Sequence, residues 1–74
     1  MGKITLDKLE AGKSGTVAGL NTNDQSILRK LMSMGILPGI TLKMLQTFPS
    51  YVFEAGYTQV AVDKEIASVV IVNN

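Results

Sequence analysis

The chain contains neither cysteine nor histidine. Without cysteine, no disulfide can staple the fold and no thiolate can hold a metal. Without histidine, the commonest general base and the commonest transition-metal ligand are both missing. Tryptophan is absent too, and aromatic residues make up only 5% of the 74 residues, so a core has to be built mainly from aliphatic side chains and methionine. Nor is there a surplus of one charge: seven basic and six acidic residues leave a net charge of +1. A domain that neutralises phosphates concentrates its basic residues. Here Lys3, Lys8, Lys13, Lys43 and Lys64 are dispersed among acids and only Arg29 and Lys30 adjoin, so nucleic acid is not an expected partner. No apolar run approaches the roughly 18–20 residues that span a bilayer, so direct membrane insertion is not expected. The opening Met1-Gly2-Lys3-Ile4-Thr5 lacks the apolar stretch of a secretory signal, and Leu6 stands where N-myristoylation requires Ser or Thr. The expected location is therefore the cytoplasm.

The chain does have a high apolar fraction, 46% hydrophobic against 18% charged residues, which favours a compact core over disorder. A chain of this length buries only roughly 60% of the surface its unfolded form exposes, so its stability margin is thin. No linker, repeat or charge block interrupts it, and residues 1–74 read as a single domain. Turn residues at short intervals divide the chain into brief strands with one helix among them. Ile4-Thr5-Leu6-Asp7-Lys8-Leu9 forms a compact lead-in ended by Gly12. Gly15–Leu20 reads as a strand, with Val17 and Gly19 facing one way and Thr16, Ala18 and Leu20 the other. Asn21-Thr22-Asn23-Asp24 supplies a turn and a helix N-cap.

The helix is expected from about Asp24 to Met34, with Gly35 as a left-handed stop. Its apolar residues Ile27, Leu28, Leu31, Met32 and Met34 cover an arc of about 160°, wider than the ~100° stripe that a surface helix buries. Leu31 lies near the middle of that arc and Met32 at its rim beside Arg29; Gln25, Ser26, Arg29, Lys30 and Ser33 form the wet face. Ile36-Leu37-Pro38-Gly39 is a tight turn. Strands are then expected at Ile40–Gln46, Tyr51–Ala55, Thr58–Val62 and Ser68–Val72, with Asp63–Ala67 making a single 3₁₀-like turn. The sum is a mainly β protein: a small, closed or nearly closed barrel of about five strands, with one short α-helix inserted after the first strand. Val17, Leu31, Ile40, Leu42, Val60, Val62 and Val70 are expected to share its core.

Catalytic chemistry finds little to work with, and the chain reads as a non-enzyme. Lys13-Ser14, and Ser33 near Lys30, are chance neighbours rather than activated nucleophiles. The carboxylate pairs Asp63/Glu65 and Asp7/Glu10 read as turn caps or solvated acids. Gly12, Gly15 and Gly19 resemble a loose phosphate loop, but no Lys-Ser/Thr pair follows, so they serve turns and bends. Met32, Met34 and Met44, without His or Cys nearby, read as adaptable packing rather than copper ligands. No cofactor is expected, and ferrous iron is expected to bind weakly at best.

The string Leu28-Arg29-Lys30-Leu31-Met32-Ser33-Met34-Gly35-Ile36-Leu37-Pro38-Gly39 resembles the central motif of the FeoA family: a basic helix, a Leu/Met-Gly-hydrophobic step, then Pro-Gly. Thr5–Gly12 is similar to the family's opening, Gly15-Thr16-Val17 to its first strand, Gly56 with Val60-Ala61-Val62 to its later strand step, and Ala67 with Val69–Val72 to its close. The segment Phe48-Pro49-Ser50-Tyr51-Val52-Phe53 departs from the "PLGDP"-like hairpin of many members. The resemblance implies an SH3-like barrel and a cytoplasmic accessory role in bacterial ferrous-iron uptake. The implied partner is the iron permease that carries a GTP-binding domain (FeoB-type), with peripheral placement at the inner membrane through that partner. The alternative is a metal-sensing or nucleic-acid-binding SH3-like module related to the C-terminal domain of metal-dependent repressors. The absence of a DNA-reading helix–turn–helix in this chain favours the accessory role. A weak homo-oligomer is a further expectation.

A partner surface is expected where the helix's apolar arc exceeds what burial requires. Met32, Leu37, Arg29 and Lys30 together would form a mixed patch, since interfaces favour Met and Arg and a basic rim steers towards an acidic partner. The competing reading has Met32 and Leu37 completing the core. The next candidate surface is the Phe48–Phe53 segment.

Overall fold

Along Thr41–Gln46, Leu42 and Met44 are fully buried while Thr41 and Lys43 are exposed, the period-2 signature of a strand with one wet face. The same logic sets most of the chain in the computed structural model, which describes residues 2–74. In order they form β1 (Lys3–Thr5), a 3₁₀ turn (Leu6–Lys8), β2 (Ser14–Leu20), α1 (Gln25–Ser33), β3 (Thr41–Gln46), β4 (Tyr51–Ala55), β5 (Thr58–Val62), α2 (Lys64–Ala67) and β6 (Val70–Asn73).

Six antiparallel strands are joined in the order β1-β6-β2-β3-β4-β5. The expected five strands are thus six, and the helix follows the second strand, not the first. The extra strand is Lys3–Thr5, which pairs with β6 through Ile4↔Val72; it is too short to show a period of its own. Among the described residues pairing does not run from β5 back to β1, so the sheet stays open where a closed or nearly closed barrel was expected. The last strand begins at Val70 instead of Ser68, because the chain ahead of it makes one α-helical turn in place of the expected 3₁₀ turn. Asp63 Oδ1 accepts the Ile66 N–H at 2.9 Å, Ala67 N–H bonds back to the Asp63 carbonyl, and the turn buries Ile66 and Ala67. A capping carboxylate and two buried side chains outweigh the cost of a short helix.

β2 sits at the centre of the fold and serves two neighbours. Its first half pairs with β3 (Ser14↔Lys43 to Thr16↔Thr41), and its second half with β6, with a register shift between Val17 and Gly19. That bulge cancels the expected simple alternation along the strand and increases its bend. At the crossover, Gly15 is packed against β6. A Cβ there would stand 3.0 Å from the Asn73 carbonyl oxygen and 3.2 Å from Val72 Cβ. Gly15→Ala is therefore expected to cost about 1–3 kcal/mol, the usual penalty of overpacking against backbone that cannot step aside. A melting temperature equal to the wild type's would show that β6 yields at no cost.

α1 follows its expected signals closely. Asp24 Oδ1 accepts bonds from the Ser26 N–H (2.9 Å), the Ser26 hydroxyl (2.6 Å) and, at 3.4 Å, the Ile27 N–H. At the other end Gly35 adopts φ 81°; its N–H bonds to the Met32 carbonyl, and the Ile36 N–H reaches the Leu31 carbonyl at 3.0 Å. This is the Schellman arrangement, in which the residue after the glycine folds back beside the last turn of the helix. Ile36 and Leu31 are both fully buried as a result.

The hydrogen bonds from Ser26, and then from the Ile27 N–H, hold the Asp24 carboxyl below its ordinary pKa of 3.8. A depressed carboxylate contributes stability that is present above its unfolded-state pKa and is lost as pH falls through the folded value. Acid titration of thermal stability is therefore expected to fall less steeply below pH ~4 for Asp24→Asn than for the wild type. Superimposable acid limbs would mean that the cap works without its charge.

The core comprises Leu6, Leu9, Val17, Leu31, Ile36, Leu42, Met44, Phe53, Val60, Val62, Ile66, Ala67, Val70 and Val72. Of the residues expected there, only Ile40 falls short. It is half-buried, packing against the core from its edge, because it lies just before β3, where its carbonyl accepts the Val17 N–H at 2.8 Å.

Candidate functional site

Most polar contacts of the described residues are local and structural; the Thr16 and Thr41 hydroxyls meet across β2 and β3 at 3.4 Å, and Asp7 Oδ1 is buried without a hydrogen-bond partner. Side-chain hydrogen bonds cap helices (Asp24, Asp63) or close turns, as in Ser33 Oγ to the Lys30 carbonyl and Ser68 Oγ to the Glu65 carbonyl. Ser33 thus donates to backbone and is not paired with the Lys30 ammonium. Among the described residues, no three Asp or Glu side chains gather as a metal-binding group. The remaining features with the character of a site are exposed apolar side chains set beside cations.

α1 and the turn after it carry the first group. Met32 is 55% exposed and Leu37 39%, so neither completes the core, and Arg29 and Lys30 are exposed as well. The helix does not put all four together. At 100° per residue Arg29 lies within about 60° of Met32, whereas Lys30 projects about 160° away. The cause is the helical period: with Leu31 turned inward, Met32 and Lys30 fall on opposite flanks, while the Schellman stop brings Ile36 inward and leaves Leu37 exposed.

Lys30 instead contributes to an open cleft of about 500 Å³. The turn between β3 and β4 brings Phe48 to it, the start of β4 brings Tyr51, the end of β5 brings Ala61 and Val62, and the start of α2 brings Lys64. Phe48 is 84% exposed, an unusual position for a phenylalanine in a chain with so few aromatics. Phe48–Phe53 was already visible in the sequence as a divergent segment. Lys64 was not, because no sequence spacing connects residues 30, 48 and 64.

Residues 4–74 match the family model described as the FeoA domain. Among solved structures, an iron uptake regulatory protein (FeoA) superposes with a TM-score of 0.90 at 26% identity, covering 99% of this chain and 97% of that one. Stenotrophomonas maltophilia FeoA, solved with zinc and described as a prokaryotic SH3 domain protein, gives a TM-score of 0.85 at 22% identity over 95% of this chain and 89% of that one. A manganese-dependent transcriptional repressor in complex with manganese gives a TM-score of 0.93 at 21% identity. All of this chain corresponds there to only 37% of the repressor. Comparison with curated proteins finds no match. The fold is SH3-like, and the family match spans nearly the whole chain from the lead-in to the last strand: the protein belongs to the FeoA domain family.

Proposed function

We propose that this chain is an accessory protein of ferrous-iron transport that acts by docking, without chemistry of its own, onto the permease bearing a GTP-binding domain. The observation that carries the reading is the end-to-end family match over residues 4–74, together with near-complete mutual coverage with the FeoA iron uptake regulatory protein. The surface agrees with it: large apolar side chains stand exposed beside cations. No helix among the described residues is long and apolar enough to cross a membrane, so contact with the bilayer would come through the partner. The docking patch consists of Met32 and Leu37 with Arg29 beside Met32; Lys30, the fourth residue expected there, projects to the far side of the helix. Its apolar residues supply the buried centre and Arg29 the steering.

Calorimetric titration of the chain into the cytoplasmic GTP-binding domain of the permease from the same cell tests the reading. Binding is expected, with Met32→Asp and Arg29→Glu each weakening it about tenfold or more while leaving the circular dichroism spectrum unchanged. No binding by the wild-type chain overturns the reading. Binding that neither substitution alters moves the contact to another face.

A further inference from the structure

β5 is one edge of the sheet, and among the described residues no strand pairs with its outer side. Natural edge strands are usually blunted by charge, proline, a bulge or extreme shortness, because their free N–H and C=O groups otherwise template a further strand. The opposite edge follows that rule: β1 is three residues long and carries Lys3. β5 does not. Its sequence Thr58-Gln59-Val60-Ala61-Val62 has no charged residue and no proline, and its register with β4 runs without a shift from Tyr51↔Val62 to Ala55↔Thr58.

What lies beside this edge is equally specific. The cleft of about 500 Å³ reaches the end of β5 at Ala61 and Val62. Phe48, 84% exposed, offers an aromatic face at one side, and Tyr51 and Ile66 add apolar lining. Lys30 from α1 and Lys64 from α2 bring two ammonium groups, against a single carboxylate, that of Asp63. That carboxylate also accepts the Ile66 N–H at 2.9 Å, and two cations against one anion leave the lining with a net positive charge. Main-chain pairing groups, an apolar anchor site and flanking cations are the components of peptide capture by strand addition.

We infer that the β5 edge and the Phe48–Lys30–Lys64 cleft form a docking site for an extended acidic segment of a partner protein, which pairs with β5, seats an apolar side chain against Phe48 and places carboxylates at Lys30 and Lys64. The site is distinct from the Met32–Leu37 patch, since of those four residues only Lys30 reaches it. It does not depend on which protein carries the segment.

The test uses isotope-labelled full chain and two synthetic peptides, acetyl-EVEFEVE-amide and its lysine counterpart acetyl-KVKFKVK-amide, followed by amide chemical shifts. The acidic peptide is expected to shift the amides of Tyr51, Ala61, Val62 and Lys64, with affinity that falls as salt is raised. The lysine peptide is expected to leave them unmoved. Phe48→Ser and Lys64→Glu, both at exposed positions, are expected to weaken the acidic peptide about tenfold or more, whereas Met32→Asp is expected to have no effect. Equal response to both peptides, shifts confined to other faces, or no response to the acidic peptide overturns the inference. So does a concentration-dependent shift of the same amides without peptide, which would assign the edge to a second copy of the chain. Repeating the titration with the permease domain separates the two readings. Permease binding that is indifferent to Phe48→Ser and Lys64→Glu leaves the transport reading standing and removes this site from it. Peptide binding without permease binding does the reverse.

Discussion

Truncation of Phe53 to alanine is expected to cost about 3–5 kcal/mol, the usual range for removing a buried aromatic ring. Phe53 is fully buried at the middle of β4, and on either side it faces Met44 of β3 and Val60 of β5. The three side chains form one row across three strands on the core face, so the ring ties β3, β4 and β5 together. A chain of 74 residues has a total stability of about 4–11 kcal/mol on the general scale of 0.05–0.15 kcal/mol per residue. Phe53→Ala is therefore expected to leave the protein partly unfolded near physiological temperature, while Phe53→Leu keeps most of the volume and should cost much less. Urea titration measures both. If the alanine variant unfolds at the wild-type midpoint, the row is not what holds β3, β4 and β5 together.

Leu31→Ala is expected to cost about 2–5 kcal/mol. Leu31 is fully buried and is the one buried residue of α1, so it is the main anchor of the helix. Its carbonyl also receives the Ile36 N–H at 3.0 Å, and Ile36 is itself fully buried. The two side chains leave the helix end as a pair, so Leu31→Ala and Ile36→Ala are expected to be non-additive, with a coupling of about 0.5–3 kcal/mol in a double-mutant cycle. Strict additivity would show that the helix stop and the core are energetically separate. Because loss of Leu31 loosens the helix that presents Arg29, Lys30 and Met32, partner affinity should fall with it. Surface substitutions such as Met32→Asp should lower affinity alone. That contrast separates a structural residue from a contact residue.

Several parts of this molecule were open to local reading. The α1 boundaries followed from Asp24 as an acceptor for free N–H groups and Gly35 as a residue tolerant of positive φ, both chemical properties of single residues. The alternation of Leu42 and Met44 located β3. The buried centre of the helix at Leu31 followed from spacing alone. β1 was missed because three residues cannot display a period, and α2 was misread because a four-residue helix owes its existence to what it buries. Ile36 reads as a turn residue in the sequence, and only the Schellman closure places it in the core.

The candidate surfaces divide along the same line. The exposure of Met32 was foreseeable, since an apolar arc wider than burial requires must leave its rim wet. The separation of Lys30 from Met32 is a matter of helical angle and could also have been worked out. The meeting of Lys30, Phe48 and Lys64 at one cleft is different in kind, because it depends on how α1, the β3–β4 turn and α2 are packed around the sheet.

The sequence by itself determined the class of the protein: one apolar-rich, cysteine- and histidine-free chain, mainly β with an early helix, carrying the motif of the FeoA family. These are properties of composition and of residues within a turn or two of each other, where the physics is local. Tertiary structure alone decided that the sheet stays open, that β2 is shared between β3 and β6, that Gly15 is held against the Asn73 carbonyl, and that β5 is left as an unblunted edge beside two cations and an exposed ring. Each of those depends on contacts between residues far apart in the chain, and their partners are chosen by burial of the whole core rather than by any pattern in the segment itself.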